Sequence, residues 1–290
     1  MAACGLEVLS HSQRLLQSRA IEANAAQMFA YFKGVVQVHG VKSPAIDACV
    51  RELLLMDDLL PPDTSSYWGI CAAHLRSAHL EEKEMGVRLL GTRTRVKSDL
   101  PTSAQLRAFS PSFDEGVNNW ATCDSFCGRV LKPMLQAEWR APQGHTRGTL
   151  DVLSEWNGDD SLWRQRASCV ALVLPARQGM FIERSFEHAE RLVRRTDERF
   201  AQLGAGWLMR ELTVVAKERA LQSLERDGAQ HWSREGMRYA VEKLSVSERQ
   251  KMLSSTKRTK RSTAVSKRSS TQAPSNPKRS SSRLNKRPIS

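Results

Sequence analysis

Hydrophobic positions return every three to four residues along most of the chain. The segments AIDACVRELLLMDDLL (45–60), KEMGVRLL (83–90), WATCDSFCGRVLKPML (120–135), SLWRQRASCVALVL (161–174), GAGWLMRELTVVAKERALQSL (204–224) and SREGMRYAVEKL (233–244) all carry this spacing. It predicts amphipathic helices, and no stretch shows the sustained two-residue alternation of a strand. Breakers separate the segments: Gly40 to Pro44, Pro61-Pro62, Ser98 to Pro101, Pro111, Pro142 to Gly148, Asn157-Gly158 and Gly228. Ser43-Pro44, Asp160-Ser161 and Ser233 read as helix starts.

Helical landmarks fall near residues 45, 84, 120, 161 and 203. Their mean spacing, about 40 residues, is the period of HEAT-type helical pairs. The expected fold is therefore all-α, a HEAT-like α-solenoid of stacked helical pairs. No repeating residue signature accompanies the period, so an irregular all-helical domain stays open on pattern alone. The distinction matters because stacked pairs create one long binding surface.

Charge divides the chain in two. Residues 251–290 hold 12 Lys and Arg and no acidic residue, while residues 1–250 hold 32 basic and 31 acidic side chains. The formal charge of +13 thus belongs to a Ser/Lys/Arg-rich tail. The tail has too few apolar residues to order itself. A folded domain over 1–250 and a disordered basic tail over 251–290 are expected. The cluster Lys257, Arg258, Lys260 and Arg261, with the later basic clusters, suits two roles. One is nuclear import through an import receptor, and the other is a sequence-independent tether to DNA phosphates. A solvated tail with neither role is the plainer reading. Phosphorylation of the neighbouring hydroxyls would weaken phosphate binding.

The longest nearly apolar run, Cys169 to Ala176, is far short of a membrane span. The Ser- and Arg-containing N-terminus leaves an organelle-transit reading open. The six cysteines form no CxxC motif and read as reduced, buried small hydrophobes. His11, His39, His74, His79, His145, His188 and His231 are scattered without metal-ligand spacing, so neither metal nor cofactor is expected.

Three segments place polar groups where a helix should be apolar. Trp120 and Asp124 share a face, and Asp124 continues at helical spacing to Cys127 and Leu131. Arg166 sits between Leu162 and Val170 on another apolar line. In a third helix Leu208, Leu212 and Val215 form the core stripe, and Trp207, Arg210, Glu211 and Val214 fall elsewhere. Each has a plainer reading: an edge Asp, an Arg with a buried stem and a wet head, a Trp packing on its neighbour. Together they say more. A near-core Asp and a near-core Arg each need a partner and can satisfy one another. A carboxylate among indole rings suits a cationic ligand.

At these residues the chain resembles the AlkD-like DNA alkylation repair family, HEAT-like α-solenoid DNA glycosylases, over roughly residues 20–250. Tyr31 followed by Gly40-Val-Lys-Ser-Pro44 resembles the family's N-terminal aromatic and its turn. Val117-Asn-Asn-Trp120-Ala-Thr-Cys-Asp124 resembles the segment with the catalytic Asp and its Trp. Trp163-Arg-Gln-Arg166-Ala is similar to the helix with the active-site Arg. Gly206-Trp207-Leu-Met-Arg210-Glu211 and Ser233-Arg-Glu-Gly-Met-Arg238-Tyr-Ala are similar to the last two elements. Residues 62–83, Gly86 and the tail depart from the pattern.

The resemblance implies excision of cationic N3- or N7-alkylated purines from duplex DNA by hydrolysis of the N-glycosidic bond, with no cofactor. It implies Asp124, Trp120, Arg166 and Trp207 as the catalytic set. Tyr31 would complete the aromatic rim, and Arg210 would contact phosphate or else pair with Glu211 or another acid. A monomer in the nucleus is expected. Two other classes stay open: a noncatalytic DNA- or RNA-binding paralogue, and a protein-interaction scaffold.

Overall fold

The expected helices form in the computed structural model, which describes residues 2–56, 58–96, 99–141, 148–228 and 230–255. They alternate between two rows. One row is α1 (Ala2–Gln17), α4 (Thr64–Leu75), α6 (Ser103–Gly116), α9 (Thr149–Asn157), α12 (Ile182–Arg195) and α14 (Lys217–Asp227). The other is α3 (Ser43–Leu54), α5 (Leu80–Arg93), α7 (Trp120–Phe126) continued through α8 (Lys132–Trp139), α10 (Leu162–Val170), α13 (Arg199–Val215) and α15 (Arg234–Ala240). Each helix packs on the next member of its own row. Stacked helical pairs of this kind are an α-solenoid, as the spacing of landmarks predicts. Among the described residues there is no strand, only an isolated bridge between Gln37 and His79. The remaining helices are α2 (Glu22–Tyr31), α11 (Val173–Arg177) and α16 (Val246–Ser255).

Local chemistry explains the helix starts that matter. Asn119 caps α7 by accepting from the Thr122 amide at 2.9 Å, and Ser161 and Ser233 cap α10 and α15 in the same way. Ser43 departs from expectation. It lies inside the first turn of α3, with Lys42 at the cap position. Its hydroxyl instead accepts from Arg88. The long helix from Trp120 to Trp139 also departs from regular spacing, because Cys127–Leu131 forms a turn of π-helix. Pro133 supplies the reason. It has no amide to give Arg129, and its ring crowds that carbonyl, so the turn before it widens.

Between the rows lies a continuous apolar core. Phe113, Phe126, Trp156 and Phe186 are fully covered, as are Leu89, Leu106 and Leu208. Phe109 stacks on Phe126 at 5.6 Å, and Phe113 packs on Trp156 at 4.9 Å. Cys49, Cys71, Cys123, Cys127 and Cys169 are buried free thiols, as the sequence suggests. Helix α16 carries the fold past residue 250, where the tail is expected to begin, because Met252 is buried and Leu253 packs on the core.

Gly86 has a steric reason. A Cβ there would lie 2.4 Å from the Cβ of His74, so α4 and α5 approach too closely for any side chain. His74 itself is buried, held between Ser12 and the Ile70 carbonyl, and burial lowers its pKa to about 4. Gly86→Ala should therefore destabilise the fold by about 1–3 kcal/mol despite alanine's better helix propensity. Urea denaturation should show a lower midpoint with an unchanged slope.

Candidate active site

Asp124 and Arg166 form the ion pair that their positions on apolar lines require. Arg166 Nε donates to Asp124 Oδ1 at 2.8 Å and its Nη2 donates to Oδ2 at 2.8 Å. Its Nη1 donates to the Phe200 carbonyl at 2.9 Å, so one guanidinium ties α7, α10 and α13 together. The Arg166 side chain is only 6% exposed and that of Asp124 17%. Arg166 is thus no wet-headed surface residue, while Asp124 keeps an opening to solvent. Burial pushes the Asp124 carboxyl above its ordinary value, against the pull of Arg166. The permanently charged guanidinium favours its ionised form.

Close helix packing positions this pair. At Gly204 of α13 a Cβ would sit 3.2 Å from Arg166 Cγ and 3.3 Å from its carbonyl. At Gly206 one would meet the Gly236 carbonyl at 2.7 Å. α13 can therefore lie directly on α10 and α15. The second approach brings Trp207 to within 6.4 Å of Tyr239, with the rings inclined by 29°. Tyr239 is close enough to Asp124 and Arg166 to feel both charges.

On the other flank Trp120 meets two aromatic rings. Phe32 stacks on it at 5.8 Å, and Tyr31 meets it edge-on at 6.0 Å. Tyr31 is 67% exposed, so its face stays available to a ligand. Four sequence-derived residues, Trp120, Asp124, Arg166 and Tyr31, thus gather on neighbouring elements, and Trp207 stands on the next helix of the row. Phe32 and Tyr239 escaped the sequence reading. The doublet Tyr31-Phe32 was the available signal for one, and nothing local marks the other.

Arg210 takes the structural option. Its guanidinium donates to Glu211 at 3.2 Å and to Glu242 at 2.7 Å, and lies 4.8 Å over the Tyr239 ring. Glu211 in turn accepts from Lys243. Arg210 therefore braces Tyr239 and the Trp207 helix. Lys257, Arg258, Lys260 and Arg261 lie outside the described residues.

A cleft of about 1190 Å³ opens along the same row of helices. Its walls hold Arg51, Arg88, Arg95, Arg129, Lys132 and Arg140 against a single acid, Asp47. Gly128 and Arg129 follow Asp124 on one continuous helix, and Ser125 hydrogen-bonds Glu84, which pairs with Arg88. Burial and the nearby Arg88 charge lower the pKa of Arg129, as expected where cations crowd without enough anions. A near-neutral body thus contains a basic groove beside an aromatic, carboxylate-bearing site.

The family model for DNA alkylation repair enzymes matches residues 12–244. The chain belongs to the DNA alkylation repair enzyme family. A solved structure, a predicted DNA alkylation repair enzyme from Enterococcus faecalis, aligns with a TM-score of 0.64. The match covers 79% of this chain and 98% of that one at 15% identity, which establishes the shared helical-repeat fold. No curated protein matches this sequence.

His39, His79 and Glu82 form a separate cluster that could hold a metal ion, despite their scatter in sequence. The Gln37–His79 bridge brings the two histidines together.

Arg166→Met should leave the Asp124 carboxylate buried without its partner, at a cost of about 3–5 kcal/mol. Chemical denaturation of this variant beside Asp124→Asn/Arg166→Met checks it. The double variant should recover part of the loss, because no ionised carboxylate is then stranded.

Proposed function

We propose that the protein is a DNA glycosylase that removes cationic N3- or N7-alkylated purines from duplex DNA. The observation that carries this reading is Asp124. Its carboxylate is half-buried, fixed by two hydrogen bonds from Arg166, still open to solvent, and set on α7 beside Trp120. Membership of a DNA alkylation repair family supports DNA as the substrate.

Alkylation at N3 or N7 gives the purine a positive charge. When the C1′–N bond breaks, its electron pair passes to the base, which leaves neutral without needing an acid. The sugar is left with oxocarbenium character, and this is the charge that requires help. Asp124 stabilises it and takes the proton of the water that adds to C1′. Arg166 holds the carboxylate in position. Trp120 and Trp207, with Tyr31 at the rim, offer aromatic faces to the deoxyribose and to the charged base. The basic groove meets the phosphates, and the tail adds salt-sensitive affinity or directs the chain to the nucleus.

Purified protein should release 7-methylguanine from methylated duplex DNA, and Asp124→Asn, folded by circular dichroism, should not. Release at the wild-type rate by Asp124→Asn removes the carboxylate from the chemistry. Release by neither, with duplex binding intact, identifies a noncatalytic DNA-binding protein.

Activity should fall as pH drops, because protonated Asp124 cannot stabilise the cation. Burial raises its carboxyl, so the loss should set in above the ordinary aspartate range. Single-turnover rates across pH test this.

Trp207→Ala should slow excision with the fold retained. Deleting 256–290, which spares the packed Met252 and Leu253, should reduce the salt slope of DNA affinity and leave the single-turnover rate unchanged. An unchanged slope would assign the tail to localisation.

A further inference from the structure

Residues 32–42 join α2 to α3 and run along the first turn of α5. The Gln37 amide donates to the Ala78 carbonyl at 3.1 Å, and the Leu80 amide donates to Gln37 at 2.8 Å. Glu81 then accepts from the amides of His39, Gly40 and Val41 at 3.0, 2.8 and 3.1 Å. These bonds set the strap's register and place His39 beside His79 and Glu82. His39 Nε2 lies 2.7 Å from Glu82 Oε1, and His79 Nδ1 lies 3.5 Å from the same oxygen. One donor atom from each residue falls within 4.8 Å of the other two.

Glu82 is built to aim that oxygen. Its side chain is 2% exposed. Its second oxygen is occupied by Gln13 Nε2 at 3.0 Å and Ser77 Oγ at 2.6 Å. Among the described residues its ion-pair partners are the two imidazoles, with no Lys or Arg. A buried carboxylate in this position calls for a cation. Two imidazole nitrogens and one carboxylate oxygen are a donor set of zinc-type sites. The bonds from Gln13 and Ser77 are the outer contacts that orient such a ligand.

We propose that His39, His79 and Glu82 bind a divalent transition metal ion of the zinc class, which staples the strap to α5. A cavity of about 530 Å³, lined in part by His79, Glu82, Ser77 and Gln13, gives access and room for a water as fourth ligand. The rings now stack at 4.1 Å and are parallel to within 8°, so their lone pairs lie in separate planes. Loading therefore requires one ring to turn. His79 is the one free to do so, being 31% exposed against 10% for His39. The ion replaces the proton shared by His39 and Glu82, and that proton leaves to solvent.

The staple has a structural consequence. α2 has no buried residue of its own, yet it ends at Tyr31, next to the Phe32 that stacks on Trp120. Fastening the strap to α5 therefore steadies this aromatic rim. The site itself does not depend on the role of Asp124.

The test uses the full-length chain stripped of metal by a chelator. Zn²⁺ is titrated calorimetrically, and Co²⁺ is followed by its visible absorption. His79→Phe keeps a ring to stack on His39 but removes the nitrogen, and His39→Gln removes the other ligand. The wild type should bind one Zn²⁺ per chain and gain thermal stability. Each variant, folded by circular dichroism, should bind roughly 100-fold more weakly or worse and gain none. Absence of stoichiometric binding by the folded wild type overturns the site. So does unchanged affinity in whichever variant is folded.

Discussion

The site depends on the pairing of Asp124 with Arg166. A carboxylate and a guanidinium at near-core positions are each expensive to bury alone. Together they are affordable, because Arg166 spends two hydrogen bonds on Asp124 and a third on the Phe200 carbonyl. That third bond makes the pair a property of stacked repeats rather than of one helix. Asp124 is supplied by α7, its partner by α10 and the partner's anchor by α13. Close stacking at Gly204 sets α13 directly on Arg166, so the solenoid and the Asp124–Arg166 pair cannot be formed independently.

Around this pair the molecule separates two electrostatic tasks. The groove of Arg51, Arg95, Arg129, Lys132 and their neighbours faces anions, which suits a phosphate backbone. The rim of Tyr31, Phe32, Trp120 and Trp207 beside Asp124 faces cations, which suits a charged lesion and its sugar. Arg210, bound to Glu211 and Glu242, braces Tyr239. DNA alkylation damage presents both charges within a few ångströms, and a surface with both polarities side by side fits it.

Hydrophobic spacing made the helices legible, and its breaks made their order legible. Asp124 and Arg166 were legible because each interrupts an apolar line. What escaped the sequence has physical causes. The π turn at Cys127–Leu131 arises from a proline four residues after the carbonyl it crowds, and regular spacing conceals it. The basic groove gathers residues from three helices far apart in sequence, while the body's net charge stays close to neutral. Phe32 and Tyr239 acquire meaning only when neighbouring helices bring Trp120 and Trp207 to them. His39 and His79 lie far apart along the chain, and the strap's bonds to the start of α5 join them. The pairing of Arg210 with an acid was legible from its neighbour Glu211, but its second partner, Glu242, lies on a later segment.

If Asp124 stabilises positive charge on the deoxyribose, the protein must prefer a charged sugar to a neutral one. The most direct measurement is the affinity for two duplexes, one carrying a pyrrolidine that is cationic at neutral pH and one carrying a neutral tetrahydrofuran at the same position. Wild type should bind the pyrrolidine duplex at least roughly tenfold more tightly, and Asp124→Asn should bind the two alike. Equal affinity of wild type for both duplexes would contradict a catalytic Asp124 and leave its pair with Arg166 a structural one.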